Sequence, residues 1–133
     1  MAKLKNFLYC LNINTTDGST NITGLMSAFS PEYIPGLFSF FVGFTLLNLT
    51  EGEHLVTINF INPDKEIIAS INDVNINYKK ESACNLPEEY MGVNIAAGFQ
   101  NVDFKKSGLY FTQVLLDGND MGKFEIFVKG KNE

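Results

Sequence analysis

The sequence predicts an all-β antiparallel sandwich of immunoglobulin-like type, with about seven to nine strands. Three observations lead there. Hydrophobic residues recur with a period of two through most of the chain. Turn signals separate these runs at short intervals, and no stretch carries a three-turn helical pattern. The chain has 133 residues with 12 Phe and 5 Tyr, enough to fill one core without a disulfide or a metal. A single domain over residues 1–133 is therefore expected.

Each segment supports this reading. Leu4 to Ile13 reads as a strand, Thr15 to Asn21 as a loop, and Ile22 to Phe29 as a short strand. Ser30 to Gly36 holds two Pro and reads as an irregular connection. Phe38, Phe40, Val42, Phe44 and Leu46 alternate with smaller or more polar neighbours, which gives a strand with one strongly buried face. Val56, Ile58 and Phe60, then Asn62-Pro63-Asp64-Lys65, then Ile67, Ala69 and Ile71 read as a β-hairpin. A polar stretch follows. The connection from Asn75 to Tyr90 is the longest expected, and long connections in small domains tend to carry function. Met91, Val93, Ile95, Ala97 and Phe99 alternate again. Leu109 to Leu116 is a strand with apolar residues on both faces. Asp117-Gly118-Asn119-Asp120 is a tight turn, and Met121 to Val128 is the last strand.

The ending Phe104-Lys105-Lys106-Ser107-Gly108-Leu109-Tyr110, followed by Asp117-Gly118 and a strand to Val128, is similar to that of immunoglobulin-like sandwiches. In those, a Tyr just after a Gly packs at a corner and bonds backbone through its hydroxyl. Taken with the hairpin before it, the chain resembles a family of short bacterial single-domain β-sandwich proteins of unknown function. The resemblance implies a fold and brings no catalytic residues with it.

Composition narrows function. The net charge is −5, with ten Lys and no Arg, which argues against a nucleic-acid binder that tracks phosphates. No apolar run approaches the roughly 20 residues of a membrane helix. The apolar run from Phe7 to Leu11 is too short for a signal-peptide core, so a cytoplasmic setting is expected and the sequons at Asn14, Asn21 and Asn48 read as unmodified. Cys10 and Cys84 read as reduced, mostly buried thiols.

Chemistry-bearing clusters are sparse. Glu51-Gly52-Glu53-His54 is the one acidic–imidazole cluster and reads as a solvated turn with a surface His. Asp117 to Asp120 lacks the repeated ligands of a calcium loop. His54 is the single imidazole, and neither Cys has the flanking residues of a cysteine hydrolase. Glu88 and Glu89 fall on opposite faces if they lie in a strand, so they do not form a catalytic carboxylate pair. No enzyme activity, cofactor or metal is expected.

The expected function is a non-catalytic binding or protein-interaction module whose partner is a protein or a second copy of itself. The alternatives are a self-assembling structural subunit, phage-related or coat-like, and a carbohydrate-binding sandwich. The partner-binding candidates are Tyr33, Phe41, Lys79, Lys80, Glu81 and Tyr90. Phe41 is singled out because it sits between small residues on the outward side of a strand. The others lie on connections.

Overall fold

The computed structural model describes residues 1–80 and 85–133. Glu81 and Cys84 lie outside the described residues. The described chain forms strands β1 (Lys3–Thr16), β2 (Ser19–Met26), β3 (Ala28–Phe29), β4 (Gly36–Leu47), β5 (Gly52–Ile61), β6 (Ile67–Tyr78), β7 (Gly92–Phe104), β8 (Gly108–Leu116) and β9 (Asn119–Val128). A four-stranded sheet, β2-β1-β4-β7, faces a five-stranded sheet, β3-β9-β8-β5-β6. The pairings are antiparallel except that of the two-residue β3, which lies parallel to Phe127–Val128 of β9.

Alternation builds the sandwich as expected. Phe40, Val42, Phe44 and Leu46 of β4 are at most 3% exposed and point between the sheets. Val56, Ile58 and Phe60 meet them from β5. The rings of Phe29, Phe40, Phe60, Phe104 and Tyr110 interlock with centroids 4.7–6.1 Å apart. Burying each such side chain contributes roughly 1.5–3 kcal/mol. β8, apolar on both sides, is settled by its partners. Tyr110, Thr112, Val114 and Leu116 face the core, while Leu109, Phe111, Gln113 and Leu115 face outward.

Two turns were written into the sequence. Asp117-Gly118 joins β8 to β9 with φ of 51° and 82°. Positive φ at both residues is the type I′ geometry that matches strand twist. Asp17-Gly18 repeats it with φ of 52° and 77°, so Thr15 to Asn21 is a tight hairpin and not a loop. The Tyr110 hydroxyl donates to the Lys106 carbonyl at 2.6 Å, the corner contact that the Gly-x-Tyr pattern implied.

Two further expectations are corrected. The connection begins after Tyr78 and not at Asn75. Asn75, Ile76 and Tyr78 pair with Leu55, His54 and Gly52, and Tyr78 is buried. Polar composition masked the period-two pattern of Val74, Ile76 and Tyr78. Within that connection, Glu88–Tyr90 forms a single 3-10 turn. His54 is not a surface residue of a turn; it is buried in β5.

Candidate functional site

His54 is a structural pin. Its Nδ1 donates to Asp117 Oδ2 at 2.7 Å and its Nε2 donates to the Thr50 carbonyl at 2.7 Å. Both ring nitrogens face acceptors, which favours the imidazolium. The Thr50 carbonyl and the Asp117 carboxylate together hold its pKa above the usual value, against the opposing effect of burial. Asp117 also accepts from the Leu55 amide at 2.8 Å, and that bond with the His54 contact holds its pKa below the usual carboxylate range. The arrangement ties the β8–β9 turn to the start of β5. It leaves no free nitrogen for proton transfer to a substrate.

Cys10 is equally enclosed. Its side chain is buried on the outer side of the four-stranded sheet, and burial raises the thiol pKa. The thiolate needed for nucleophilic chemistry is therefore disfavoured.

The structure brings several of the candidate residues together. The described ends of the connection after β6 lie at the outer face of the four-stranded sheet, beside the end of β4. Tyr78, Lys79, Leu86 and Tyr90 line a shallow hollow of about 300 Å³ there, floored by Gly92 and Asn94. Tyr90 is 54% exposed and Leu86 58%, so two large apolar groups stand open to solvent beside cationic side chains. Lys5 Nζ lies 5.9 Å from the Tyr90 ring centroid, within cation–π range. Lys80 bonds Glu88 at 3.1 Å, and its backbone amide donates to Glu51 Oε1 at 3.1 Å. These contacts fasten the described ends of the connection to each other and to the start of β5.

Phe41 lies on the same outer face, midway along β4 between Cys10 of β1 and Gly98 of β7. It is half-buried and not a freely exposed ring. Its ring covers Gly98, where an added Cβ would sit 3.0 Å from the ring edge. Glycine at that position lets the ring lie flat. Tyr33 is exposed but belongs elsewhere. It precedes Gly36, the first residue of β4, whereas Tyr90 lies beside Leu47, the last. The length of β4 separates them by about 35–40 Å.

Sequence reasoning missed Lys5 and Leu86. Lys5 joins the site only because β1 pairs with β4 opposite Thr45, a long-range register that periodicity does not reveal. Leu86 stands in a polar run, and its isolation as a bulky apolar residue was the available signal. A second outward apolar surface lies on the five-stranded sheet, where Leu109 pairs with Phe127 and Ile61 with Phe111. Among the described residues, no group of three or more His, Cys, Asp or Glu side chains is placed to hold a metal ion. No described helix is long and apolar enough to cross a membrane.

Comparison with one solved structure supports the fold. The DNA-bound alkylpurine DNA glycosylase AlkC of Pseudomonas fluorescens matches 96% of this chain with a TM-score of 0.54 and 10% identity. The chain spans only 30% of that protein. An immunoglobulin-like protein of Pseudomonas aeruginosa matches over 97% of both chains, with a TM-score of 0.46 and 10% identity. No curated protein matches the sequence. With its two facing sheets and Tyr110 corner, the fold is an immunoglobulin-like β-sandwich. A family model matches residues 5–129, and the chain belongs to that family, a family of unknown function (DUF6941).

Proposed function

We propose that this protein is a non-catalytic protein-interaction module that presents the outer face of its four-stranded sheet, with Lys79, Lys80 and residues 85–91 as the specific element. One observation carries the reading: Leu86 and Tyr90 stand exposed beside Lys5 and Lys79 over a shallow, open hollow. Exposed aromatic and aliphatic groups rimmed by cations suit a protein surface better than an enclosed small molecule. The engagement of both His54 nitrogens and the burial of Cys10 support a non-catalytic role.

The acidic net charge and the lack of Arg weigh against a nucleic-acid backbone as partner, although one structural neighbour is a DNA-bound enzyme. A reducing, cytoplasmic setting suits the free, buried Cys10 thiol.

The test is affinity capture from lysate of the source cells, quantified by mass spectrometry. A specific protein retained by the wild type should fall at least about fivefold with Leu86→Ser plus Tyr90→Ser, a loss of roughly 1 kcal/mol. Tyr33→Ser should retain it. Equal retention by all three proteins contradicts the reading.

A further inference from the structure

The four-stranded sheet ends in β7, and the condition of that edge goes beyond the reading above. Strands at sheet edges offer unpaired backbone groups, and natural proteins guard them with charge, Pro, bulges or a covering segment. The edge at β9 is partly covered by β3 and carries Lys123 and Glu125. The edge at β6 is interrupted by Asp73, with φ of 51°. The edge at β2 is bent at Gly24, with φ of 70°. Among the described residues, β7 has no charge, Pro or bulge over its first half, and its neighbour across the edge of the sandwich is β6. Its register against β4 is unbroken from Gly92 to Gly98. From Gly92 to Val102 there is no charged residue and no Pro, in a chain where 19% of residues are charged. Among the described residues, no backbone group of Gly92 to Gln100 bonds to a loop or turn. Val93, Ile95 and Ala97 point inward yet remain half-exposed, whereas the matching β4 residues are almost fully buried.

We propose that β7 pairs antiparallel with β7 of a second copy, joining two four-stranded sheets into one. The sequence of the edge selects this occupant. A strand paired about a two-fold axis meets its own sequence reversed, so a charge on the axis meets itself and a charge away from it meets the residue at the mirror position. β7 brings no charge to that meeting. With the axis at Ala96, the outward pairs are Ala96 with Ala96 and Asn94 with Gly98, all small. The inward pairs are Val93 with Phe99 and Ile95 with Ala97, each a larger side chain against a smaller one. Ala96 keeps the outer surface low at the axis, and beside it the Phe41 ring lies over Gly98. The shared edge is about 30 Å long. A contact of that kind is smaller than a standard interface, so the dimer should be weak and form at micromolar or higher concentration.

Sedimentation velocity over a concentration series tests this, with hydrogen exchange at the two ends of the series. The wild type should pass from monomer to dimer, with added amide protection confined to β7. Ala96→Lys and Ala96→Glu should each raise the dissociation constant at least about tenfold, since like charges would meet on the axis. An equimolar mixture of the two variants should recover the dimer. A wild type that stays monomeric overturns the proposal. So does a dimer indifferent to both substitutions, or protection placed on β2 or on the outer face of the five-stranded sheet. If either variant fails to fold, the wild-type exchange map decides alone. Because Leu86 and Tyr90 are untouched, loss of the dimer with partner capture intact refutes this inference without refuting the function proposed above.

Discussion

Among the described residues, the Tyr9 hydroxyl joins the two sheets through two hydrogen bonds, and Tyr9→Phe removes both. Tyr9 of β1 is 5% exposed and Thr112 of β8 fully buried. The Tyr9 hydroxyl donates to the Phe124 carbonyl at 2.7 Å and lies 2.7 Å from Thr112 Oγ1, whose proton it is placed to accept. Burial pushes the phenol pKa well above its ordinary value, so the neutral donor persists at every working pH. Losing the hydroxyl leaves the Thr112 donor without its partner in a site closed to water. That loss should cost about 1–3 kcal/mol. With about 2 cal/mol/K of unfolding entropy per residue over 133 residues, the melting temperature should fall by about 4–10 °C. Thr112→Val, nearly the same volume, should cost a similar amount. The double variant should cost at least about 1 kcal/mol less than the sum, because the Thr112 hydroxyl is then no longer stranded. Urea unfolding of the four proteins, with calorimetry alongside, measures each corner of the cycle. A Tyr9→Phe protein within about 0.5 kcal/mol of wild type, or strictly additive costs, would refute the reasoning.

Other outcomes follow from the same geometry. Tyr110→Phe should destabilise by about 0.5–1.5 kcal/mol, because it removes the corner bond to Lys106 and little packing; urea unfolding reads it. The His54 pKa lies above its ordinary 6.5 in the fold, so its stabilisation is complete below that pH and is lost as pH rises through the folded value. The Asp117 pKa lies below its ordinary 3.8, so its contribution is present above that pH and lost as pH falls through the folded value. Melting temperature should therefore peak between about pH 4 and 6.5, and His54→Gln should flatten the alkaline side. Asp117→Asn should weaken both flanks, measured by the same pH series.

Much of the fold was legible in the sequence, for identifiable reasons. β4 and β5 declare themselves because one face is buried and the other is not, so alternation survives in the residue types. Asp117-Gly118 declares its turn because few other residue pairs accept positive φ twice. Tyr110 was legible from the Gly-x-Tyr spacing and the chain after it. Where several weak signals compete, reading fails. The tail of β6 looks like a loop because Asn75 and Asn77 face solvent, while Tyr78 is buried against segments distant in sequence. His54 looks like a surface residue because both its partners, Thr50 and Asp117, are brought to it by folding, the second from 63 positions away. The site was legible only in part. Lys79, Lys80 and Tyr90 fall on one connection and were found together. Tyr33 was included on local exposure, and its distance from them depends on the direction of β4. Phe41 was correctly placed on the outer face, but its cover of Gly98 depends on β4–β7 register, which no local pattern states.

Hydrogen exchange of the protein with its captured partner, compared with the protein alone, tests the central claim most directly. The account predicts added protection over residues 85–95 and at the start of β1 around Lys5, the segments that surround Tyr90. Protection centred instead on Tyr33, or on the Leu109–Phe127 surface of the five-stranded sheet, would contradict it.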